Sequence, residues 1–161
     1  MNTRTQLSLY VPPPVSASLE AARQLLDPIQ ANLIPVHVTL CREDELNNLE
    51  PTAVRSRLAA AEATPITLKF GHAESFHEHG VLLPCIGGEA EFQALRRWVL
   101  GANTIRHQAP HITLAHPRNP KSPKNNALSV AMLPSSLTIC FTSACLIQQE
   151  RDLPWQVLEQ Y

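Results

Sequence analysis

His37-Val38-Thr39-Leu40 returns 74 positions later as His111-Ile112-Thr113-Leu114. Successive side chains of a β-strand point to opposite faces, so each run puts its histidine and threonine on one face and its two apolar residues on the other. Each tetrapeptide therefore reads as a half-buried strand that shows an imidazole beside a hydroxyl. One such strand says little, because a lone histidine on a strand is commonly structural, with a ring nitrogen bonded to a backbone carbonyl. Core packing gives no reason for a threonine two residues on in both halves, and the repetition favours a functional reading.

A second landmark repeats at nearly the same offset: Ile66-Thr67-Leu68-Lys69-Phe70 lies 71 positions before Leu137-Thr138-Ile139-Cys140-Phe141. Each half then reads as helix, H-x-T-L strand, connection, I/L-T-x-x-F strand and hairpin partner. The expected fold is α+β, a two-lobed pseudo-symmetric duplication with antiparallel sheets lining a central groove and helices outside. Residues 1–161 form a single bilobal domain, with lobe-forming repeats at roughly 16–86 and 89–161 and a strand at 6–11 added. Such symmetry places the two histidines facing one another across the groove.

The remaining elements follow from periodicity and punctuation. Gln6–Val11 alternates as a strand and ends at Pro12-Pro13-Pro14. Ser16 or Ser18 can cap a helix whose Leu19, Ala22, Leu26, Ile29 and Leu33 make one buried face. Asp27-Pro28 is either a kink in it or an N-cap with a proline at the first helical position. Residues 41–48 read as a loop, and Pro51 opens an alanine-rich helix running to about Ala63. Ile66–Phe70 is a strand continued past Gly71 to Phe76, turning at His77–Gly80 and returning through Val81–Ile86. Glu89–Leu100 has helical spacing, with Gly101 as its C′ residue. A proline-rich basic loop, 115–126, follows the second motif. Strands at Leu137–Phe141, Ala144–Gln149 and from Trp155 close the chain.

Composition narrows the function classes. A chain of 161 residues with net charge -1 has no global field that draws it to nucleic acid or an anionic membrane, so a nucleic-acid-like substrate must be gripped locally and no extended nucleic-acid surface is expected. The N-terminus lacks the apolar run of a signal peptide, and no stretch is long enough to span a bilayer. Cys41, Cys85, Cys140 and Cys145 are scattered without a C-x-x-C pair, which suggests small buried hydrophobes and a cytoplasmic location.

Two facing imidazoles suit a reaction in which one proton is removed and another delivered, since each can do either near neutral pH. Thr39 and Thr113 add hydroxyl donors that can stabilise charge on phosphoryl oxygens. Neither motif brings a carboxylate or a cysteine, so the chemistry calls for no metal and no cofactor. The chemistry implied is in-line attack of water on a phosphodiester, with one histidine as base and the other as acid on the leaving oxygen.

Two H-x-T-hydrophobic motifs about seventy residues apart in a short α+β chain resemble the 2H phosphoesterase superfamily, which holds 2′-5′ RNA ligase-like proteins and 2′,3′-cyclic nucleotide phosphodiesterases. The resemblance spans nearly the whole chain. It implies that His37 and His111 are catalytic, that Thr39 and Thr113 bind phosphate, and that the enzyme, without metal, opens a 2′,3′-cyclic phosphate to leave a 2′-phosphate. A nucleotide or a short RNA end is the implied substrate, and a reversible 2′-5′ RNA ligase activity is the same phosphoryl-transfer chemistry. The alternative from another class is a non-catalytic nucleotide- or phosphate-binding module. Some family members carry an arginine three residues after the second threonine. Here that spacing is met in the first motif, by Arg42, while the second continues Ala115-His116-Pro117-Arg118.

Arg42, Arg118, His116 and Tyr10 complete the candidate substrate contacts. His116, Arg118, Lys121 and Lys124 form a basic loop that is either solvated charge or a phosphate-recognition element. Tyr10 is a packed strand residue or an aromatic platform for a base. His72, His77 and His79 lack a carboxylate or cysteine at ligand spacing and read as a hairpin tip. Trp98 and Trp155 read as core.

Overall fold

The computed structural model describes residues 3–61, 65–125 and 133–161. Among these residues nine strands make one antiparallel sheet: β1 (Thr3–Tyr10), β2 (His37–Cys41), β3 (Ile66–Phe70), β4 (Glu74–Phe76), β5 (Gly80–Gly87), β6 (His111–Ala115), β7 (Leu137–Phe141), β8 (Cys145–Glu150) and β9 (Gln156–Gln160). The helices of the described residues are α1 (Val15–Leu26), α2 (Pro28–Leu33), α3 (Glu43–Leu46), α4 (Pro51–Ala60) and α5 (Glu89–Leu100). The order across the sheet is β7-β3-β5-β6-β2-β1-β8-β9, with β4 beside β5.

The two motif strands are the central pair. Counted outward from them, β5 answers to β1, β3 to β8 and β7 to β9, so the α+β pseudo-symmetric arrangement read from the motifs is present. The second landmark has a different meaning from the one its offset suggests. β3 and β7 pair with each other, Ile66 opposite Phe141 and Phe70 opposite Leu137, so the two I/L-T-x-x-F runs are side-by-side partners in one half. The counterpart of β3 in the sheet order is β8.

The alternation in the motifs is what sets them in the sheet. Val38, Leu40, Ile112 and Leu114 are at most 1% exposed, while His37, Thr39, His111 and Thr113 keep contact with solvent. The buried four join Leu7, Leu9, Leu83, Leu19, Leu26, Phe92 and Val99 in one core, each such side chain contributing roughly 1.5–3 kcal/mol by leaving water. α1 packs against β6, and α5 against β2 and β3.

Several local expectations change. α1 starts at Val15 behind Pro14 with no side-chain cap, and Ser18 bonds the Val15 carbonyl. Asp27-Pro28 is the N-cap and first-proline alternative: Asp27 ends α1, and its carboxylate accepts the Gln30 N–H that opens α2. The new helix turns Ile29 outward, to 48% exposure. Residues 43–46, expected as loop, form α3, because Glu45 reaches back to the Arg42 N–H and satisfies the first turn. α4 ends at Ala60, and the expected continuation to Ala63 runs into 62–64, outside the described residues. Trp98 lies on the outer side of α5, half exposed, with its indole N–H donating to the Arg57 carbonyl. Cys140 is exposed and Cys85 half-buried; only Cys41 and Cys145 are buried.

Candidate active site

Val38 stands opposite Ile112 in the antiparallel pair β2–β6. One residue to either side, the same register sets His37 beside Thr113 and Thr39 beside His111, all four on the face away from the core. The two histidines are then diagonal neighbours, a separation of roughly 7–8 Å in an antiparallel pair and somewhat less between Cβ atoms.

Both imidazoles are oriented the same way. His37 Nδ1 lies 2.8 Å from the Pro35 carbonyl and His111 Nδ1 3.0 Å from the Ala109 carbonyl, each acceptor two residues upstream of its ring. A carbonyl can only accept, so each Nδ1 carries the proton and Nε2 faces outward. This bond survives protonation of the ring, so the same geometry presents Nε2 as a base when neutral and as an acid when charged. Crowding by protein pushes His37 down to about 4, opposed by its bond to the Pro35 carbonyl and reinforced by the positive charges of Arg23 and His111. In the unliganded protein that ring is neutral at pH 7.

The flanks of the four side chains differ. On β1, Tyr10 registers with His37 and Ser8 with Thr39. Tyr10 meets His37 edge-on, ring centroids 6.3 Å apart, and burial, with Cys145 beside it, pushes its phenol to about 12, so it remains a hydroxyl donor. Gln6 donates its amide N–H to Ser8 Oγ at 2.7 Å and to Thr39 Oγ1 at 3.2 Å. On β5 the corresponding residues are Leu82 beside Thr113 and Pro84 beside His111. The floor is thus polar on one side and apolar on the other, although the strands are related by pseudo-symmetry.

The candidate basic contacts separate. Arg42 and His116 are equivalent, each three residues past a motif threonine, and they leave the strand pair at opposite ends. Arg42 is exposed at the start of α3, its charge beside Asp44. The His116 N–H donates to buried Asp27 at 2.8 Å, and Asn119 donates to the same carboxylate. Arg118 is exposed; its backbone N–H donates to His116 Nδ1 and its guanidinium lies against that ring. Burial and the Arg118 charge lower the His116 pKa against the pull of Asp27. His79 Nε2 meets the Asn119 carbonyl at 2.6 Å, which ties the hairpin turn to the same loop. Among the described residues no group of three or more His, Cys, Asp or Glu could hold a metal ion.

Sequence reasoning missed the supports of this site. Arg23, 1% exposed, bonds Glu20, whose carboxylate also accepts the Val36 N–H next to His37. Arg96, fully buried, reaches the Leu40 and Arg106 carbonyls and pairs with Glu45. The signal was available: both arginines fall on the apolar stripe of their helix, four residues after Leu19 or Phe92 and three before Leu26 or Val99. A cavity of about 360 Å³ under α4 and α5, lined by Leu9, Leu58, Leu95, Trp98 and Phe141, opens on the other face of the sheet and contains none of the four motif side chains.

Comparison with known proteins agrees with this architecture. The family model of the 2′-5′ RNA ligase superfamily matches residues 11–152. Among solved structures, the chain is similar to E. coli LigT complexed with ATP, at a TM-score of 0.64 and 17% identity over 99% of this chain and 96% of that one. It is also similar to LigT complexed with 3′-AMP, at 0.57 and 15% with the same coverage. TT0787 of Thermus thermophilus gives 0.61 and 18% over 98% and 96%. No curated protein matches.

Proposed function

The chain belongs to the 2′-5′ RNA ligase superfamily of 2H phosphoesterases, and we propose that it is a phosphodiesterase that opens a cyclic phosphate, a 2′,3′-cyclic nucleotide or RNA terminus, by paired-histidine acid–base catalysis without a metal. The observation that carries this reading is the shared orientation of His37 and His111, each with Nδ1 tied to a carbonyl and Nε2 presented on one face of the central strand pair. One Nε2 accepts a proton from the attacking water as its oxygen bonds to phosphorus. The other gives its proton to the leaving ribose oxygen as the P–O bond breaks, and a 2′-phosphate remains. The two rings exchange protonation states over the cycle, and a ribose 5′-hydroxyl in place of the water would make the same step a 2′-5′ ligation. Thr39 and Thr113 donate to the non-bridging oxygens, where charge builds in the transition state.

A nucleotide-like substrate is supported by the LigT structures complexed with ATP, NADP+, 3′-AMP and phosphate. Tyr10 and the basic residues Arg42, His116 and Arg118 are proposed to contact the rest of the nucleotide. The protein is proposed to act in the cytoplasm; no helix among the described residues is long and apolar enough to cross a membrane.

The test is hydrolysis of 2′,3′-cyclic mononucleotides and a 2′,3′-cyclic-ended oligoribonucleotide in EDTA by wild type, His37→Ala and His111→Ala. Turnover in EDTA that falls about 10²–10⁴-fold in each variant supports the mechanism. Binding of nucleotide without turnover by the folded wild type would replace it with the binding-module alternative.

A further inference from the structure

The pair β2–β6, which carries all four motif side chains, is joined by one registered bridge, Val38 to Ile112, whereas β1–β2 and β5–β6 continue over longer ladders. Where β2 ends and β6 begins, side chains take over from the backbone. Gln108, three residues before His111, donates its amide N–H to the Thr39 carbonyl at 2.8 Å. The Gln108 backbone carbonyl accepts from the Gln93 side-chain amide at 2.7 Å. Arg96 spans the same gap, with Nε on the Leu40 carbonyl at 2.8 Å and Nη1 on the Arg106 carbonyl at 2.8 Å and on Gln93 at 3.1 Å. The chain leading into His111 is therefore fastened to β2 by these side chains.

We infer that Gln108, braced by Gln93 and Arg96, is a positioning residue that sets the separation of Thr39 and His111. It touches no reacting atom. Its amide oxygen is buried with no partner among the described residues, a cost that an apolar side chain of the same shape would avoid if packing were its whole purpose. The amide is kept for its donor, and that donor fixes the strand carrying Thr39 relative to the strand carrying His111. The catalytic consequence rests on the acid–base reading of the histidines; the geometric one does not.

The experiment compares wild type with Q108M, which keeps length and apolar stem but cannot donate, and with Q93M, which loosens the brace. Turnover of a 2′,3′-cyclic nucleotide, thermal unfolding, and NMR titration of the His111 imidazole with and without inorganic phosphate are measured on the same samples. A displacement of about 1 Å in a reacting group can cost on the order of 10²-fold, so kcat is expected to fall roughly 10–100-fold in Q108M and less in Q93M, with KM changed little. The His111 signals and the phosphate response are expected to move while the folded fraction stays that of wild type. Wild-type turnover, His111 titration and phosphate binding in Q108M would overturn the inference. So would a loss that disappears on cooling in step with recovery of the folded fraction, since that marks a stability role alone. If wild type turns over no cyclic phosphate, the proposed reaction fails separately, and the imidazole and phosphate measurements still decide whether Gln108 positions His111.

Discussion

Arg23 and Arg96 occupy the same place in two pseudo-symmetric helices, each at most 1% exposed and each paired with a glutamate that also accepts a backbone N–H beside a motif strand: Glu20 with Val36, Glu45 with Arg42. A guanidinium in a core is tolerated only when its donors are met, and breaking one partner of a buried pair costs about 3–5 kcal/mol because the other charge is left unpaired. Arg96→Ala strands Glu45 and the Leu40 and Arg106 carbonyls, so urea unfolding should show a loss in that range. Arg106 and Asp44, both about half exposed in a salt bridge of 2.8 Å, provide the comparison: Arg106→Ala should cost less than about 1 kcal/mol. Equal losses for the two would refute the assignment of Arg96 as the structural cation.

The sheet's centre was legible because period two and the repeated H-x-T-L fix which side chains share a face, and that face carries the four proposed catalytic and phosphate-binding groups. What escaped was long-range and polar. The I/L-T-x-x-F strands carry the same pattern whether they are symmetry mates or neighbours, and only strand pairing distinguishes these. Gln6, Gln108 and Asp27 act through partners 33 to 92 positions away, a distance over which spacing gives no signal. Trp98 misled because aromatic type outweighed its place on the outer side of α5.

His37 makes stability depend on pH with a definite sign. Its folded pKa of about 4 lies below the ordinary 6.5, so between those values the unfolded chain binds a proton that the folded one refuses. Stability is therefore full above pH 6.5 and is lost as pH falls towards 4, by on the order of 2 kcal/mol for this residue once its residual solvent contact is allowed for. The half-buried His116, lowered in the same direction, adds to the slope. Urea titrations of wild type and His37→Gln at pH 7 and pH 4.5 check this. The variant should lose less stability between the two; parallel losses would mean that His37 is not the group held neutral.

Phosphate binding should draw protons from solution. An anion between the rings favours the charged imidazole that burial, Arg23 and His111 now disfavour, so the His37 pKa should rise on binding. Calorimetry of inorganic phosphate or 3′-AMP at pH 6.5 in buffers of different ionisation enthalpy should give a net uptake approaching one proton, and affinity should increase from pH 8 to pH 6. His37→Gln should abolish most of the uptake. Uptake unchanged in that variant would move the coupling to another group, His111 first.

Gln6 gives Thr39 a polarity that Thr113 lacks. A hydroxyl oxygen that accepts the Gln6 amide N–H at 3.2 Å has its own hydrogen free to point towards the groove, whereas the register neighbour of Thr113 on β5 is Leu82, which can orient nothing. Gln6→Met removes the orienting donor and should weaken phosphate or 3′-AMP binding by about 1 kcal/mol, roughly fivefold. Thr39→Val should cost at least as much, and Gln6→Met added to Thr39→Val should cost almost nothing further, because both act through one hydroxyl. Binding losses that add in the double variant would show that Gln6 contributes through Ser8 or through direct contact with the ligand, and that the hydroxyl of Thr39 finds its direction without it.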